Sequence, residues 1–382
     1  MVGQFPKRRL FTPGPLNTAA TTKQAMMRDI GSREPEFVDI LRDVRSRLVE
    51  LAHASPNDGY YSIPIQGSGT FALESVFSSA FSPKNSLLIV VNGAYGRRLA
   101  DMATLWAIDH MTIECASDEF PDLEVVKRAL QKKHFSHIAL VHCETSSGIV
   151  NPLSDIARLA SEFGCRLIVD AMSSFGGIDI NVVELGIDCL VTSANKCLEG
   201  VPGIAFAICS NRFINTCRGN GRTVCLDLYQ QLDVLEQTGE FRFTPPTHVV
   251  LALQKALDRL DEEGGITLRH ERYRSCAAKL WNGMTGLGFR PLLAPQRRSC
   301  IISAFHCPAS DAFSFRRMYS HLLTKGFVVY AGKTPGVDCF RIGTIGQIAE
   351  EDILELVNEI GCFLSAAGFT LPLRPTELVQ SG

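Results

Sequence analysis

The sequence predicts an α/β fold in which a mostly parallel sheet is covered by helices and a smaller α+β domain follows. Two observations carry this prediction. Short apolar runs alternate with longer helical patterns through the first part of the 382 residues, and this alternation stops after about residue 245. Several of the runs are apolar throughout, which is typical of strands buried on both faces of a sheet.

Seven strand-like runs make up the predicted sheet. They are Tyr61–Ile65, Leu87–Val91, Met111–Glu114, His137–Val141, Arg166–Val169, Cys189–Thr192 and Ile204–Ile208. Helical patterns of about three turns lie between them, as at Phe71–Ala80, Arg97–Leu105, Leu123–Gln131 and Asp155–Phe163. Strands that alternate with helices in this way favour a parallel sheet.

The last third of the chain has a different order of elements. A long helical stretch over about 247–263 ends at Gly264-Gly265, a second covers 269–285, and short strands and helices follow. We therefore predict an N-terminal arm over residues 1–20, a large domain over 21–260 and a small C-terminal domain over 261–382.

Composition excludes several classes of function. Lys and Arg number 38 and Asp and Glu 40, so the net charge of −2 leaves no basic excess to neutralise nucleic-acid phosphates. The longest apolar runs have the length of strands and are too short to span a membrane. The 13 cysteines are scattered without a Cys-x-x-Cys pair, which disfavours a metal cluster, and no secretory leader follows Met1. We expect a cytoplasmic protein with no nucleic-acid, membrane or metal partner.

Two predicted strands end at residues of complementary chemistry. Asp170 ends one strand and Lys196 follows the next, 196 − 170 = 26 residues later, which is about one crossover. Both side chains can therefore emerge at the carboxyl edge of the sheet, where open α/β sheets bind ligands. They suit pyridoxal phosphate, because a lysine can form a Schiff base with its aldehyde while a carboxylate keeps its ring nitrogen protonated. The spacing fits a structural Asp–Lys ion pair about equally well.

A phosphate-binding turn is predicted after the first strand. Ser68, Gly69 and Thr70 open the next helix, where unpaired N–H groups and the helix dipole favour an anion. The letters of Gly67–Ala72 also match the dinucleotide pattern G-x-G-x-x-A, but no acidic residue ends the following strand to hold a ribose. A nicotinamide cofactor is therefore disfavoured.

Two further turns add groups that a flat cofactor could use. Tyr95 in the turn at 92–96 offers an aromatic face, and Thr145 in the turn at 142–148 offers a hydroxyl for a ring oxygen. Each turn alone is more often a tight turn or a helix cap. Their convergence with the other turns at one sheet edge favours a functional site.

Together these motifs resemble the class V pyridoxal-phosphate aminotransferases. The similarity runs from about residue 8 to residue 363. It rests on Leu10–Leu16, on the turns at 67–74 and 92–96, and most specifically on Asp170–Gly177, Ser193–Gly203, Arg242–His248 and Cys339–Gly343. It implies fold type I of the pyridoxal-phosphate enzymes, the fold of aspartate aminotransferase, with pyridoxal 5′-phosphate as cofactor. Ala194-Asn195 before the lysine departs from the Ser-His of cysteine desulfurases, which weakens that reading.

The resemblance also implies roles for single residues. Lys196 would bind the cofactor and move the proton, and Asp170 would hold the ring nitrogen. The other cofactor contacts implied are Ser68, Gly69, Thr70, Tyr95, Thr145 and Thr244. Thr244 would reach across from a second subunit, which implies a homodimer with shared active sites. Arg341 would grip the anion of the substrate, and Arg33 would be a second anion contact.

Within the class, the motifs look most like the branch that transfers the amino group of 2-aminoethylphosphonate to pyruvate. The products would be phosphonoacetaldehyde and L-alanine, and the implied partners are an aminophosphonate and a keto acid, as in phosphonate catabolism. An alanine–glyoxylate or serine–pyruvate aminotransferase would use the same cofactor residues, so the motifs leave it open. A lyase with the same cofactor and a non-catalytic pyridoxal-binding protein are the remaining alternatives.

Overall fold

A computed structural model describes residues 8–334 and 336–374 of the chain. Residues 1–7 of the predicted arm and 375–382 of the predicted small domain lie outside the described residues. In chain order the strands are β1 (Arg9–Leu10), β2 (Tyr60–Gly67), β3 (Ser86–Val91), β4 (Asp109–Glu114), β5 (His137–Val141), β6 (Cys143–Glu144), β7 (Ile149–Val150), β8 (Arg166–Asp170), β9 (Ile187–Ser193), β10 (Gly203–Ser210), β11 (Ile302–His306), β12 (Phe327–Val328), β13 (Tyr330–Ala331) and β14 (Cys339–Gly343).

The helices occupy the connections and most of the C-terminal third. They are α1 (Ala20–Gln24), α2 (Pro35–Glu50), α3 (Gly69–Ala80), α4 (Ala94–Leu105), α5 (Leu123–Lys132), α6 (Leu153–Glu162), α7 (Asn211–Cys217), α8 (Leu228–Thr238), α9 (Thr247–Glu263), α10 (Gly265–Gly286), α11 (Phe315–Thr324) and α12 (Glu350–Ala366). Gly264 separates α9 from α10 with φ 99°, a left-handed conformation that glycine adopts without strain.

The central sheet contains all seven predicted strands. Their spatial order is β2-β10-β9-β8-β5-β3-β4, and β10 alone runs against its two neighbours. The five strands from β9 to β4 pair in parallel. The predicted α/β class with a mostly parallel seven-stranded sheet is therefore confirmed.

Both faces of this sheet are buried, which explains the uninterrupted apolar runs. Along β3, Leu88 and Val90 pack into the apolar cluster on one face, and Leu87, Ile89 and Val91 pack into the cluster on the other. A strand with water on one face would alternate with polar residues instead. The sheet is thus a rigid layer whose strand ends can hold side chains in fixed positions.

A second, smaller sheet lies in the C-terminal third. Its strands are ordered β11-β14-β13 and are antiparallel, with helices α10, α11 and α12 sharing one apolar cluster with them. The N-terminal strand β1 pairs in parallel with β12, so the start of the chain joins this part of the molecule. The two sheets lie on either side of the predicted domain boundary at residue 260, which stays a prediction.

No helix among the described residues is both long and apolar enough to cross a bilayer. Within the same residues, no group of three or more His, Cys, Asp or Glu side chains is arranged to hold a metal ion.

Candidate active site

Turns from five strands of the large sheet converge on one cavity at its carboxyl edge. The cavity has a volume of about 190 Å³. Seven of the predicted site residues line it: Ser68, Gly69, Thr70, Tyr95, Thr145, Asp170 and Lys196. They follow β2, β3, β5, β8 and β9 in the chain. The cavity therefore lies where parallel sheets bind ligands.

Lys196 reaches the cavity from the turn after β9. Its Nζ donates a hydrogen bond to the carbonyl oxygen of Pro13 at 2.7 Å. Burial lowers the pKa of Lys196, although Tyr95, Cys197 and Asp170 act in the opposite direction. A lowered pKa increases the neutral fraction of the amine, which is the form that attacks a carbonyl or accepts a proton.

The lysine side chain lies against the backbone of the N-terminal arm. Gly14 has φ 124°, and a Cβ added there would lie 2.7 Å from Lys196 Nζ. A larger residue at position 14 would therefore displace the amine. Pro13 and Gly14 therefore help to fix the position of the amine.

Asp170 is the end of β8 and is 4% exposed. Its Oδ1 accepts a hydrogen bond from the backbone N–H of Met172 at 2.9 Å. Burial raises the pKa of this carboxyl to about 6, against the lowering effect of the Met172 N–H. Among the described residues, no ion pair within 4.0 Å joins Asp170 to Lys196. The simple structural ion pair is therefore not formed, and both groups face the cavity.

The start of α3 forms another part of the cavity wall, through Ser68, Gly69 and Thr70. Ser68 is the residue before the first turn of α3, and its side chain makes no capping hydrogen bond. A Cβ at Gly69 would overlap the sulfur of Met172, so a larger residue there would have to displace that side chain. Arg98, which the sequence analysis did not select, donates from Nη1 to Thr70 Oγ1 at 3.1 Å.

Tyr95 is held from both ends. Its backbone N–H and that of Gly96 donate to one oxygen of the buried Glu144, each at 3.0 Å, so this carboxylate caps α4. Burial raises the pKa of the Tyr95 hydroxyl, but a hydrogen bond with Thr145 and nearby cations, including Lys196, outweigh burial and lower it. The ring is thus fixed beside the lysine.

Arg341 lies behind the Thr145 turn rather than on the cavity wall. It belongs to β14, is 3% exposed, and donates from Nη1 to the Thr145 carbonyl at 2.8 Å and from Nε to the Ala331 carbonyl at 3.0 Å. This side chain links the smaller sheet to the cavity. A buried guanidinium next to the site suits an anionic substrate.

Besides Arg341, two predicted contacts do not line the cavity within a single chain. The Arg33 side chain is 84% exposed and pairs with Glu240 at 3.2 Å. Thr244 is exposed and lines a separate, mostly apolar cleft with Phe71 and Phe243. The roles of Arg33 and Thr244 stay predictions, and that of Thr244 was expected only across a subunit boundary.

Comparison with known proteins gives consistent matches. A family model described as aminotransferase class-V matches residues 18–336. The 2-aminoethylphosphonate–pyruvate transaminases of Klebsiella pneumoniae subsp. pneumoniae and Salmonella typhimurium are each 44% identical over 354 residues, which is 92% of this chain and 96% of theirs.

Solved structures share the whole architecture. A ureidoglycine–glyoxylate aminotransferase from Bacillus subtilis has a TM-score of 0.88 at 24% identity and covers 99% of this chain and 97% of its own. An alanine–glyoxylate aminotransferase from Nostoc sp. has a TM-score of 0.86 at 27% identity and covers 95% and 97%. The fold over nearly the whole chain is therefore common to these enzymes and this chain.

Proposed function

The chain belongs to the class-V aminotransferases, and from this premise we propose that it transfers the amino group of 2-aminoethylphosphonate to pyruvate with pyridoxal 5′-phosphate as cofactor. The products are phosphonoacetaldehyde and L-alanine. The family and its fold, fold type I, are those that the motifs predicted. The proposal for the substrate rests on the relatives of that name, which are similar over 92% of the chain.

One observation carries the cofactor proposal: Lys196 and Asp170 line the same cavity without pairing with each other. Asp170 is buried with a raised pKa and holds one backbone N–H, so it would gain from a protonated ring nitrogen. Ser68, Gly69 and Thr70 at the start of α3 line the same cavity, and the N–H groups of a helix start favour a phosphate there. When bound, pyridoxal phosphate supplies an aldehyde that takes up amino groups and a ring that accepts the electrons of a broken C–H bond.

Lys196 carries the proton transfers in this proposal. Its amine removes a proton from the aminomethylene carbon of the donor and later returns one, and burial keeps a neutral amine available for this task. The donor has no carboxylate on that carbon, so its acidity depends on the electron-accepting ring alone. Asp170, which holds the proton on the ring nitrogen, is for that reason essential to the rate.

The anionic end of the donor is assigned to the side of Arg341. Among the described residues, hydrogen bonds engage Nε and Nη1 of Arg341 but not Nη2, and we assign Nη2 to a substrate oxygen. Lys333 adds a second positive charge nearby, with Nζ 5.6 Å from the centroid of the Tyr95 ring. A phosphonate carries up to two negative charges, whereas a carboxylate carries one. A pair of cations therefore suits a phosphonate better than a carboxylate.

We also propose a homodimer in which each active site uses Thr244 from the other subunit. Phe243 precedes this threonine and is 49% exposed, and Phe71 follows the phosphate turn and is 52% exposed. Burying them against a second copy would remove apolar surface from water. The same contact would bring Thr244 to a neighbouring cavity. The 13 free thiols suit a reducing compartment, and we propose the cytoplasm.

A second candidate is an alanine–glyoxylate aminotransferase. The Nostoc enzyme of that name is 27% identical over 95% of this chain, and its reaction would use Lys196, Asp170 and Arg341 in the same way. The two candidates differ in the donor. The carboxylate of alanine needs Arg341 but makes little use of Lys333.

The experiment is a titration of the purified holoenzyme with 2-aminoethylphosphonate and, separately, with alanine, while the visible absorption of the cofactor is followed. Both amines should convert the cofactor, because alanine is the product of the second half-reaction. Lys196→Ala is the negative control and should not complete the conversion of the cofactor with either amine, because it lacks the amine that moves the proton. A spectral change with alanine and none with the aminophosphonate would reject the proposed donor and favour the second candidate.

A further inference from the structure

Arg98 is a cavity cation that the mechanism above does not use. It lies on α4, one turn after Tyr95, and lines the same cavity as Lys196 and Asp170. Its side chain is half-buried, and among the described residues no carboxylate lies within 4.0 Å of its guanidinium. Arg97 next to it has the opposite character, because it is exposed and paired with Glu114.

The contacts of Arg98 fix its guanidinium at one end of the cavity. Nη1 donates to Thr70 Oγ1 at 3.1 Å, and Cζ lies 4.8 Å from the centroid of the Tyr95 ring. A neutral hydroxyl and a ring face do not balance a full charge that has lost much of its water. The cation is therefore placed for an anion that binds beside Thr70.

We propose that Arg98 is the counter-charge for the phosphate group of the cofactor. This inference rests on the proposed use of pyridoxal phosphate and names a residue that neither the motifs nor the resemblance assigned. A phosphate ester carries about −1.5 to −2 charge at neutral pH, whereas the start of a helix offers about half a positive charge. A guanidinium supplies the missing charge and can donate two parallel hydrogen bonds to two phosphate oxygens.

Arg98 and Arg341 would hold two different anions, the cofactor phosphate and the anionic end of the substrate. Arg98 lies on the Thr70 side of Tyr95, whereas Arg341 is bonded to the Thr145 turn. Its charge lowers the pKa of Asp170 and so favours the ionised carboxylate in the loaded site. A cation at each end orients the bound molecules, with Lys196 between them.

A purely structural role predicts a different outcome. If Arg98 only braces the Tyr95 ring, its loss should weaken every ligand that contacts Tyr95, whether or not the ligand has a phosphate. If it binds the phosphate, its loss should matter only for the phosphorylated ligand. Pyridoxal, which lacks the phosphate, separates these two roles.

The test is equilibrium binding of pyridoxal phosphate and of pyridoxal to the apoprotein, measured by absorbance, for the wild type, Arg98→Gln, Arg98→Lys and the control Arg97→Gln. Arg98→Gln should weaken pyridoxal phosphate roughly 10- to 100-fold, the effect of one charge-assisted hydrogen-bonded pair, and pyridoxal less than about twofold. Arg98→Lys should lie between, because it keeps the charge but loses the planar fork. Arg97→Gln should bind both ligands as the wild type does.

Equal losses for the two ligands would overturn the proposal in favour of bracing, and unchanged affinity for both would overturn it outright. Arg98→Lys keeps the proposal testable if Arg98→Gln does not fold, since the lysine variant preserves the charge near Thr70. Wild-type protein that fails to bind pyridoxal phosphate would reject the proposed cofactor itself. Wild-type protein that binds it but does not use 2-aminoethylphosphonate would reject the proposed donor and leave the Arg98 assignment standing.

Discussion

The amine of Lys196 donates a hydrogen bond to the carbonyl oxygen of Pro13, at 2.7 Å, across 183 residues of chain. The residues around Pro13 follow β1, which pairs with β12 in the C-terminal third. The position of the lysine thus depends on the large sheet, on the N-terminal arm and on the C-terminal third together. This arrangement makes residue 14 a sensitive point.

Gly14→Ala should impair catalysis more than it impairs folding. The new Cβ would lie 2.7 Å from Lys196 Nζ and would push the amine away from its place. We expect kcat to fall roughly 100-fold, the scale reported for a displacement of about 1 Å. The left-handed φ of 124° adds a stability cost of about 1–3 kcal/mol. The measurements are steady-state kinetics and urea unfolding.

The matched control is Gly219→Ala. Gly219 also has a positive φ, 75°, but a Cβ there meets no atom within 4 Å. The Gly219→Ala variant should lose a similar free energy of unfolding and keep the wild-type kcat. Equal kcat losses in both variants would show that backbone strain, and not contact with Lys196, is responsible.

Asp170→Asn should stabilise the apoprotein, and the effect should grow with pH. The pKa of Asp170 is raised to about 6 in the folded protein and is about 3.9 in an unfolded chain. Between these values the folded state binds more protons, so the free energy of unfolding falls as pH rises and is level above about pH 6. The variant does not lose this stability and should be about 3 kcal/mol more stable than the wild type at pH 8.

The check is chemical denaturation of both apoproteins at pH 8 and pH 5. The advantage of Asp170→Asn should shrink by about 1 kcal/mol between them. In the holoprotein the variant should bind pyridoxal phosphate more weakly, because the neutral amide no longer attracts a protonated ring nitrogen. An advantage that is equal at both pH values would contradict the raised pKa.

Much of the site could be predicted because strand ends are a local property of the sequence. Lys196 and Asp170 follow apolar runs that could only be buried strands, and parallel pairing then brings both to one edge. Arg98 was not selected, although a signal existed: it lies three residues after Tyr95 on a helix and therefore on the same face. The contact between Lys196 and Pro13 had no such signal, since it depends on how distant segments pack.

The fold, too, contains elements with a local sequence signal and elements without one. The helix α2 is an example of the first kind. It was not predicted, although its buried residues Phe37, Leu41, Val44 and Leu48 are spaced as one face of a helix. Charged residues fill the opposite face, so the apolar positions do not form a continuous run. The three-stranded sheet was harder to predict, because the register of β11 on β14 is set by residues about 40 apart.

Arg269→Met should destabilise the protein strongly. Arg269 is 1% exposed, and it donates to Glu263 from Nε and Nη2, at 2.9 and 2.8 Å, and to the carbonyl of Cys197 at 3.0 Å. Its loss removes two hydrogen bonds from the partly buried Glu263, which keeps Arg272 as a partner, and takes this donor from the buried carbonyl of Cys197. We expect a loss of about 2–4 kcal/mol in the free energy of unfolding, measured with urea.

The control for this prediction is Arg158→Met on the surface. Arg158 pairs with Asp155 at 3.4 Å, and both side chains are exposed. Its loss should change the free energy of unfolding by less than about 0.5 kcal/mol. A comparable loss in the two variants would contradict the importance assigned to burial.

Lys333→Gln should raise the KM for 2-aminoethylphosphonate more than the KM for alanine. The exposed Lys333 is one of two cations proposed for the phosphonate, whereas a carboxylate is served by Arg341. One solvated charge within about 4 Å of the phosphonate is worth about 1 kcal/mol, so its loss should raise this KM roughly fivefold. Lys325→Gln, which removes a lysine that pairs with Glu359, is the control. Equal changes in the two KM values would remove Lys333 from the specificity of the site.

Mixing two inactive variants tests the shared active site. In the proposed homodimer, Lys196 of one subunit and Thr244 of the other serve the same cavity. Lys196→Ala has no amine to transfer the proton, and Thr244→Glu places a negative charge where the phosphate would bind, so each variant alone should be nearly inactive.

A hybrid of the two variants should regain activity. One of its two cavities receives both defects, and the other receives an intact Lys196 and an intact Thr244. If Thr244 served the cavity of its own chain, each cavity of the hybrid would carry one defect and mixing would restore nothing. Co-refolding equal amounts of both variants makes about half of the dimers hybrids, each with one working site, so about a quarter of the wild-type kcat per active-site pair should return. Activity that stays at the level of the separate variants, while size-exclusion chromatography shows that hybrids have formed, would exclude the contribution of Thr244 in trans.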